Sequence, residues 1–312
     1  MESSFRKNSI KFFTLLITAF LMSLGSAQAA EEKLYKPFIL AKTPAGDFKT
    51  VAEATKKSLQ TAGFKIVGDY SPYEGVQIFS VTNNALLNIV AKQKDAAYAA
   101  VQRVSIVNNK GKIQVAFTNP EYMSYAYRLK NNLKSVQSAF IKALGKQKEF
   151  GAEGLTAEKL RDYNYAWGME YYDDYLELAD YSSHAKAVAA VENGLKNNKI
   201  GVSKVYRVNI PGTNSVLFGV GLKSPNMFNK YQDDGYIMNI IDFKEIRSAA
   251  HLPYEILVTG KEIRALHARF RIAVNFPDLS MAGENSFMNI MGAPGGIKKA
   301  LTNVSGGEEH DF

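Results

Sequence analysis

Apolar and polar residues alternate in two stretches of the chain, and each stretch is followed closely by a proline. Between Ile113 and Phe117 apolar residues take alternate positions behind a turn at residues 108–111, which predicts a β-hairpin with one buried face. Every second residue from Leu266 to Phe276 is also apolar. That pattern predicts a long strand that begins at Glu262.

In three places the apolar residues follow a helical period directly after a residue that is suited to cap a helix. Asn119 stands where an N-cap belongs, and Pro120 takes the first helical position, where a missing N–H costs nothing. An apolar stripe from Tyr122 to Leu144 then predicts one long amphipathic helix. Two further helices are predicted to begin after Asp47 and Asn83.

The order of these elements repeats along the chain. The helix, strand, turn and strand that begin near Val51 align with a second set that begins near Val188. The pattern predicts an α+β fold of two pseudo-repeated units, each a sheet with packed helices in the order strand-helix-strand-strand-helix-strand-strand-helix. The expected segments are a first unit at 33–145, a linker at 146–162, a second unit at 163–304 and a disordered tail at 305–312.

Two motifs are similar to a known family. The segments TNPEYMSYAYR and LPYEILV with RFRIAVNFPDLSM resemble the family called Domain of Unknown Function 302, as two diverged copies over nearly the whole mature chain. The resemblance implies compact α+β units and carries no agreed activity. Family members often have a histidine after the second strand, and the matching regions near Ser71 and Pro211 have none.

The N-terminal pattern is typical of a signal peptide. Arg6, Lys7 and Lys11 precede an apolar run from Phe12 to Leu24, and Ala27-Gln28-Ala29 supplies small residues for cleavage after Ala29. We therefore expect residues 1–29 to be removed and a soluble protein to reach the periplasm or the exterior. The alternative is an uncleaved anchor, although the run is shorter than the roughly 20 residues that span a bilayer.

Composition narrows the possible chemistry. The chain has no cysteine, which excludes disulfides, thiol nucleophiles and zinc–thiolate sites. Its formal charge of +8 comes from scattered lysines, so we expect no nucleic-acid partner. No nucleophile elbow, zincin, P-loop or dinucleotide motif is present. These observations favour a protein that is not an enzyme and needs no cofactor or metal.

The predicted long strand carries the first candidate site. His267, Arg269 and Arg271 stand at two-residue spacing, so they would share one sheet face. Three potential cations in a row could bind a small anionic ligand such as a carboxylate, sulfate or phosphate. The alternative is a solvated sheet face balanced by neighbouring carboxylates.

A stretch rich in tyrosine and acid, from Tyr163 to Tyr181, is the second candidate site. Its residues Trp167, Tyr171 and Tyr172 could hold a cationic or flat ligand through their rings, or contact another protein. The alternative is an aromatic strand that covers a hydrophobic seam. Further on, three methionines invite a Cu(I) site, but their apolar neighbours favour core packing instead: Met281, Met288 and Met291.

The favoured hypothesis is a non-enzymatic, exported protein that binds a ligand or partner in the cleft between its two units. One alternative is an enzyme, hydrolase-like or otherwise, on the His267, Arg269 and Arg271 face, with His267 as general base. Another is an accessory or chaperone-like subunit of an envelope complex, which would use the tyrosine-rich stretch.

Overall fold

Two antiparallel sheets with helices packed on them form the protein. The structure, a computed structural model, describes residues 32–197 and 200–308, and of Met227 and Phe228 only the backbone. The predicted signal peptide and the last residues of the predicted tail lie outside the described residues. From Leu34 onward the described chain forms one compact unit.

From residue 32 to the end of α5, the described chain contains six strands and five helices: β1 (Phe38–Leu40), α1 (Phe48–Thr61), β2 (Lys65–Tyr70), β3 (Val76–Thr82), α2 (Asn84–Val90), β4 (Gln102–Asn109), β5 (Lys112–Thr118), α3 (Pro120–Ala126), α4 (Lys134–Leu144), β6 (Lys148–Phe150) and α5 (Ala157–Arg161). A short 3₁₀ helix, Ala96–Ala99, precedes β4.

The described part of the second half contains five strands and four helices: β7 (Tyr175–Asp180), α6 (His184–Asn197), β8 (Val202–Asn209), β9 (Ser215–Leu222), α7 (Asp234–Ile241), β10 (Tyr254–Thr259), β11 (Glu262–Leu266), α8 (Ala268–Asn275) and α9 (Ala293–Val304). Its 3₁₀ helices are Met227–Gln232, Ala249–His251 and Phe287–Ile290.

Both sheets have the same strand order. The first runs β2-β3-β4-β5-β1 and adds β6 at its edge, and the second runs β8-β9-β10-β11-β7. Each also has a register shift in its first hairpin, at Ile66–Gly68 and at Lys204–Tyr206. The predicted α+β fold of two pseudo-repeated units is confirmed.

The two halves share their apolar interior. One buried cluster contains Phe79, Phe117 and Phe140 from the first half together with Leu217 and Phe270 from the second. The alternation along β9 and β10 places their other faces in a second cluster under α6 and α9. Neither half therefore closes its own core.

The predicted caps are in place. Asp47, Asn83 and Asn119 each accept a hydrogen bond from a backbone N–H in the first turn of the helix that follows. Asn119 is fully buried, and its side-chain oxygen Oδ1 also accepts a hydrogen bond from Gln137 Nε2 at 2.6 Å. This cap therefore joins the starts of α3 and α4 as well as ending β5.

The single long helix predicted from Tyr122 to Leu144 is wrong. α3 ends at Ala126, and α4 begins at Lys134 after two residues with left-handed backbone, Arg128 at φ 52° and Leu133 at φ 53°. The apolar stripe continued without interruption because both helices pack on the same core.

The long strand predicted over Glu262–Phe276 is also wrong. β11 stops at Leu266, and α8 begins after His267, whose Nδ1 accepts a hydrogen bond from the backbone N–H of Arg269. Every residue of α8 except Arg269 is buried. A helix buried all round has no polar face to reveal its period, so its apolar residues could also be fitted to a period of two.

The linker and the start of the C-terminal tail are more ordered than predicted. The linker at 146–162 contains β6, which pairs with β1, and α5, which begins at the cap Thr156. The predicted disordered tail begins with Ser305, which is fully buried, and Gly307 N donates to Thr302 O at 3.0 Å. Backbone hydrogen bonds hold both segments. Among the described residues, no helix has the length and apolarity to cross a membrane.

Candidate cation-binding groove

An open groove of about 790 Å³ runs along the free edge of the second sheet. β7 lies at that edge and pairs only with β11 among the described strands. The walls come from the end of the tyrosine-rich stretch, from the start of β11 and from the chain after α9: residues Asp173, Asp174, Tyr175, Glu177, Leu178, Ala179, Asp180, Glu262, Ile263, Arg264, Gly306, Gly307 and Glu308.

Carboxylates dominate this lining. Six acidic side chains face a single arginine, although the whole chain carries a formal charge of +8. A concentration of one sign of charge in a concave surface focuses the electrostatic potential there. The groove therefore favours a positively charged ligand.

Strand pairing sets the spacing of the acids. The register places Glu262 directly opposite Asp180 and Arg264 opposite Glu177. Like charges directly opposite one another are unfavourable, and Lys261 Nζ relieves this pair by contacting Asp180 Oδ2 at 2.9 Å. Glu177 and Glu262 have no ion-pair partner in the described part of the chain, so both carboxylates are available to a cation.

Two arginines lie at the far end of the groove, and each is already paired with a carboxylate, Arg128 with Asp173 and Arg264 with Asp95. Arg128 Nη1 lies 2.7 Å from Asp173 Oδ2. Arg264 contacts Asp95 and lies over the ring of Tyr175 at 4.5 Å from its centroid. Burial, with the negative charge of Asp95 adding to it, raises the pKa of Tyr175 to about 12. Tyr175 therefore stays a neutral ring that can accept a second cation.

The first set of predicted site residues does not share a sheet face. His267 and Arg269 meet at Glu170, with His267 Nε2 at 3.4 Å and Arg269 Nη2 at 2.5 Å from the same Oε1. Arg271 points to the opposite side of α8 and is buried. The strand on which an anion site was predicted is absent, and Glu170 already contacts two of the three groups.

His267 has no free ring nitrogen. Nδ1 accepts from the backbone N–H of Arg269 at 3.2 Å, which leaves the proton on Nε2 facing Glu170. Burial lowers the pKa of His267, while Glu170 opposes that shift. A general base needs an open lone pair within reach of the substrate, and this arrangement provides none.

Arg271 belongs to a buried charge network between the two halves. Glu255 lies between Arg271 and a second arginine, Arg103. Its Oε1 is 3.5 Å from Arg103 Nη1, and its Oε2 is 3.6 Å from Arg271 Nη2. The Tyr206 hydroxyl donates to Glu255 Oε1 at 2.6 Å, and Arg271 Nη1 donates to His251 O at 2.8 Å. The three charged side chains are at most 2% exposed, so they stabilise the interior and cannot reach a ligand.

The structure separates the three aromatic residues of the second predicted site. Trp167 is 100% exposed, whereas Tyr172 is buried against Tyr127 with ring centroids 5.2 Å apart. Tyr171 is half-buried, and the guanidinium of Arg128 lies 6.0 Å from its ring centroid. These three rings form no common cage. The acids that follow them in sequence line the groove instead.

Three groove residues escaped the sequence reasoning: Glu262, Arg264 and Glu308. The first two lie about 80 residues from β7 in sequence and reach it only through strand pairing. The repeat predicts this pairing only once the pairing of β5 with β1 in the first half is known, because β11 and β7 are the equivalent strands of the second half. No local pattern in the sequence points to Glu308.

A second, smaller groove of about 440 Å³ lies where the two halves meet. Lys65 and Arg207 face it from opposite halves, no acidic residue lines it, and Arg207 is also paired with Glu192. The other residues of the lining are Val67, Thr82, Asn83, Asn84, Leu87, Val208 and Asn209. This is the cleft between the units that the repeat predicted.

Within residues 32–197 and 200–308, no group of three or more histidine and acidic side chains is arranged to hold a metal ion. A comparison of the chain with protein-family models finds no match, and comparisons with curated proteins and with solved structures find no significant match.

Proposed function

We propose that this chain is a non-enzymatic binding protein whose acidic groove holds a polycation. The ligand class is a flexible chain with several ammonium or guanidinium groups, which a polyamine and a lysine-rich peptide segment share. The carrying observation is the set of six carboxylates in one concave surface of a chain with a charge of +8. Glu177 and Glu262, which have no ion pair in the described residues, are the expected primary contacts.

The spacing of the carboxylates supports a ligand with several charges. A strand rises about 3.3 Å per residue, so Glu177 and Asp180, three residues apart with a bulge between them, are about 7–10 Å apart along β7. A single small cation such as ammonium reaches only one of them. A polyamine or an extended basic peptide spans both and loses less rotational freedom for each contact that it adds.

Calorimetric titration of the full chain with spermidine and, separately, with a pentalysine peptide tests this proposal. We expect the E177Q/E262Q variant to bind about tenfold more weakly, because each exposed carboxylate contact contributes up to about 1 kcal/mol. The variant E53Q/E158Q removes the same charge at exposed positions outside the groove and serves as the control.

Two results would overturn the groove assignment: an equal loss in both double variants, or no binding at low ionic strength. Binding in the groove should also weaken as salt rises, since exposed charge contacts are screened beyond about 10 Å at 0.1 M salt. Tight binding of spermidine alone identifies a small-molecule ligand, and binding of pentalysine alone identifies a protein partner.

The cleft between the two halves supports a second candidate function. Lys65 and Arg207 flank it without any lining carboxylate, so a small anionic ligand fits there better than on α8. Titration with phosphate, sulfate and citrate should show binding that K65Q removes and that E177Q/E262Q leaves unchanged. Absence of binding for all three anions excludes this second site for them.

Export and family membership are part of the same proposal. The basic and apolar N-terminal pattern and the Ala27-Gln28-Ala29 sequence support cleavage after Ala29, and the motifs at 118–128 and 252–281 support a relation to Domain of Unknown Function 302. N-terminal sequencing of protein recovered from a fractionated host tests the first point. A mature chain that begins at Ala30 is expected, and an intact N-terminus in the cytoplasmic fraction contradicts it.

A further inference from the structure

Three exposed methionines lie within one short segment, residues 281–291. Met281 is 46% exposed, Met288 59% and Met291 72%. The prediction that they pack in the core is wrong, because Phe287 and Ile290 fill the core positions of this segment and turn the methionines outward. Each of the three methionines therefore exposes an apolar side chain with a soft sulfur atom to solvent.

Backbone hydrogen bonds bring the three methionines together. Met288 N donates to Met281 O at 3.1 Å, and Met291 N donates to Met288 O at 3.3 Å. Residues three apart in a 3₁₀ helix are eclipsed, and a rise of about 2 Å per residue places their Cα atoms about 6 Å apart. Met288 in the 3₁₀ helix Phe287–Ile290 and Met291 at its C-cap therefore lie on one side of this turn, and a backbone hydrogen bond joins Met281 to Met288.

The segment is fixed to the rest of the protein. The ring of Phe287 stacks on Tyr165 with centroids 5.6 Å apart, and the Tyr165 hydroxyl donates to Leu279 O at 2.5 Å. Asn289 Nδ2 donates to Gly283 O at 2.7 Å and closes the intervening loop. The methionines thus stand on an ordered support, which reduces the entropy lost when a ligand gathers them.

We propose that Met281, Met288 and Met291 form a Cu(I) site with three thioether ligands. Thioethers are soft, neutral donors that select Cu(I) over Zn²⁺ and other harder ions. The chain has no cysteine, and the described histidines are engaged elsewhere, His267 at Glu170 and His184 at Gly260 O. The flexible methionine side chain, with three rotatable bonds, can bring its sulfur to a shared ion.

This site is independent of the polycation groove. Thioethers do not titrate, so the affinity should stay constant from pH 7 to pH 5, unlike that of a histidine site, whose ligands must lose protons to bind metal. Competition of the full chain with the chromophoric chelator bicinchoninate, under anaerobic and reducing conditions, measures Cu(I) binding. We expect one Cu(I) per chain.

The variant M288L/M291L should bind Cu(I) at least about tenfold more weakly, because loss even of an outer partner of a metal site costs about that much. Leucine keeps the apolar surface, so a mere hydrophobic contact would survive this change. M169L, at a half-buried methionine outside the segment, is the matched control and should bind as the wild type does.

Methyl-¹³C methionine spectra with Ag(I) as an air-stable probe provide a second measurement. Shifts confined to the three methyl groups of 281–291 support the site. It is overturned if M288L/M291L binds as tightly as the wild type, if the shifts occur at other methionines, or if affinity falls sharply between pH 7 and pH 5.

Discussion

At the scale of single residues, the buried ionic groups shape the behaviour of this protein most strongly. Arg103 and Arg271 approach Glu255 from two different elements, and all three are removed from water. Taking charges out of water costs more than an exposed ion pair returns, so each charge depends on its partners being present. No local pattern could have predicted this network, because Arg103 and Glu255 are 152 residues apart.

Glu255→Gln should therefore destabilise the protein by about 3–5 kcal/mol, since it leaves two buried guanidinium groups without a counter-charge. Urea unfolding at pH 7 measures the loss. Glu245→Gln is the matched control, because its ion pair with Lys112 is exposed, with both side chains at least 70% accessible. That control should cost less than about 1 kcal/mol. Equal effects of the two variants contradict the role of burial.

Asp234 gives stability a pH dependence. Its Oδ2 accepts from the Tyr70 hydroxyl at 2.7 Å and from Leu222 N at 3.0 Å, and burial raises the pKa of Asp234 to about 7. The folded state thus keeps a proton that the unfolded state loses near its ordinary pKa of about 4. The stability that this proton gives is complete below the unfolded pKa and is lost as pH rises to about 7.

Asp234→Asn cannot titrate. The difference in unfolding free energy, wild type minus variant, should therefore fall by up to about 4 kcal/mol between pH 4 and pH 7. Urea unfolding of both proteins at matched ionic strength measures it. The comparison also cancels the opposite contribution of His251, whose pKa is lowered by burial and by Arg271 and Arg103. Parallel curves across this range contradict the prediction.

At the scale of elements, the sequence predicted the starts of helices well and their ends poorly. Asp47, Asn83 and Asn119 make the hydrogen bonds expected of caps. Capping is a local matter of one side chain and the next few N–H groups, so a short motif is sufficient to identify it. The break after Ala126 and the helix at Ala268–Asn275 depend on distant packing, which the periodicity of a short window does not contain.

Two of these caps, Asn119 and Asn83, should differ in their contribution to stability. Asn119→Ala removes the cap of α3 and also leaves Gln137 and Lys36 O without their buried partner. We expect it to cost more than about 2 kcal/mol. Asn83→Ala removes a half-exposed cap and should cost about 1 kcal/mol. Thermal unfolding of the two single variants tests this order, and equal losses contradict it.

The candidate groove was half predictable at this scale. Asp173, Asp174 and Glu177 stand in the tyrosine- and acid-rich stretch, which the sequence suggested as a site for a cationic or flat ligand or for another protein. Glu262 and Arg264 join them only because β11 lies beside β7. The sequence predicted the order of elements along the chain but not which strands are neighbours in the sheet. The end of β11 was also predicted too late, which placed the arginines of α8 on a sheet face that does not exist.

At the scale of the whole molecule, two similar units form one body. The strand order is the same in both sheets, yet a single apolar cluster contains residues from both halves. Arg103 from the first half and Glu255 from the second are paired across it. The repeat thus describes the order of the elements in each half, whereas both halves share one hydrophobic interior.

A fragment of residues 33–162 should therefore fail to fold by itself. It retains six strands, but it exposes the apolar surface that Leu217 and Phe270 cover and leaves Arg103 without Glu255. We expect no cooperative thermal transition by circular dichroism for this fragment, and recovery of one when the fragment 163–308 is refolded with it. A sharp transition in the isolated fragment contradicts a shared core.

The long separation between Arg103 and Glu255 also means that the two residues are synthesised many seconds apart. The ribosome releases Glu255 152 residues after Arg103, and at about 5–20 residues per second this interval lasts roughly 8–30 seconds. Once β6 ends at Phe150 the first sheet is complete in sequence, but Arg103 still has no counter-charge until Glu255 is added. We therefore expect the shared core to close only after β10, the strand that carries Glu255, has been synthesised.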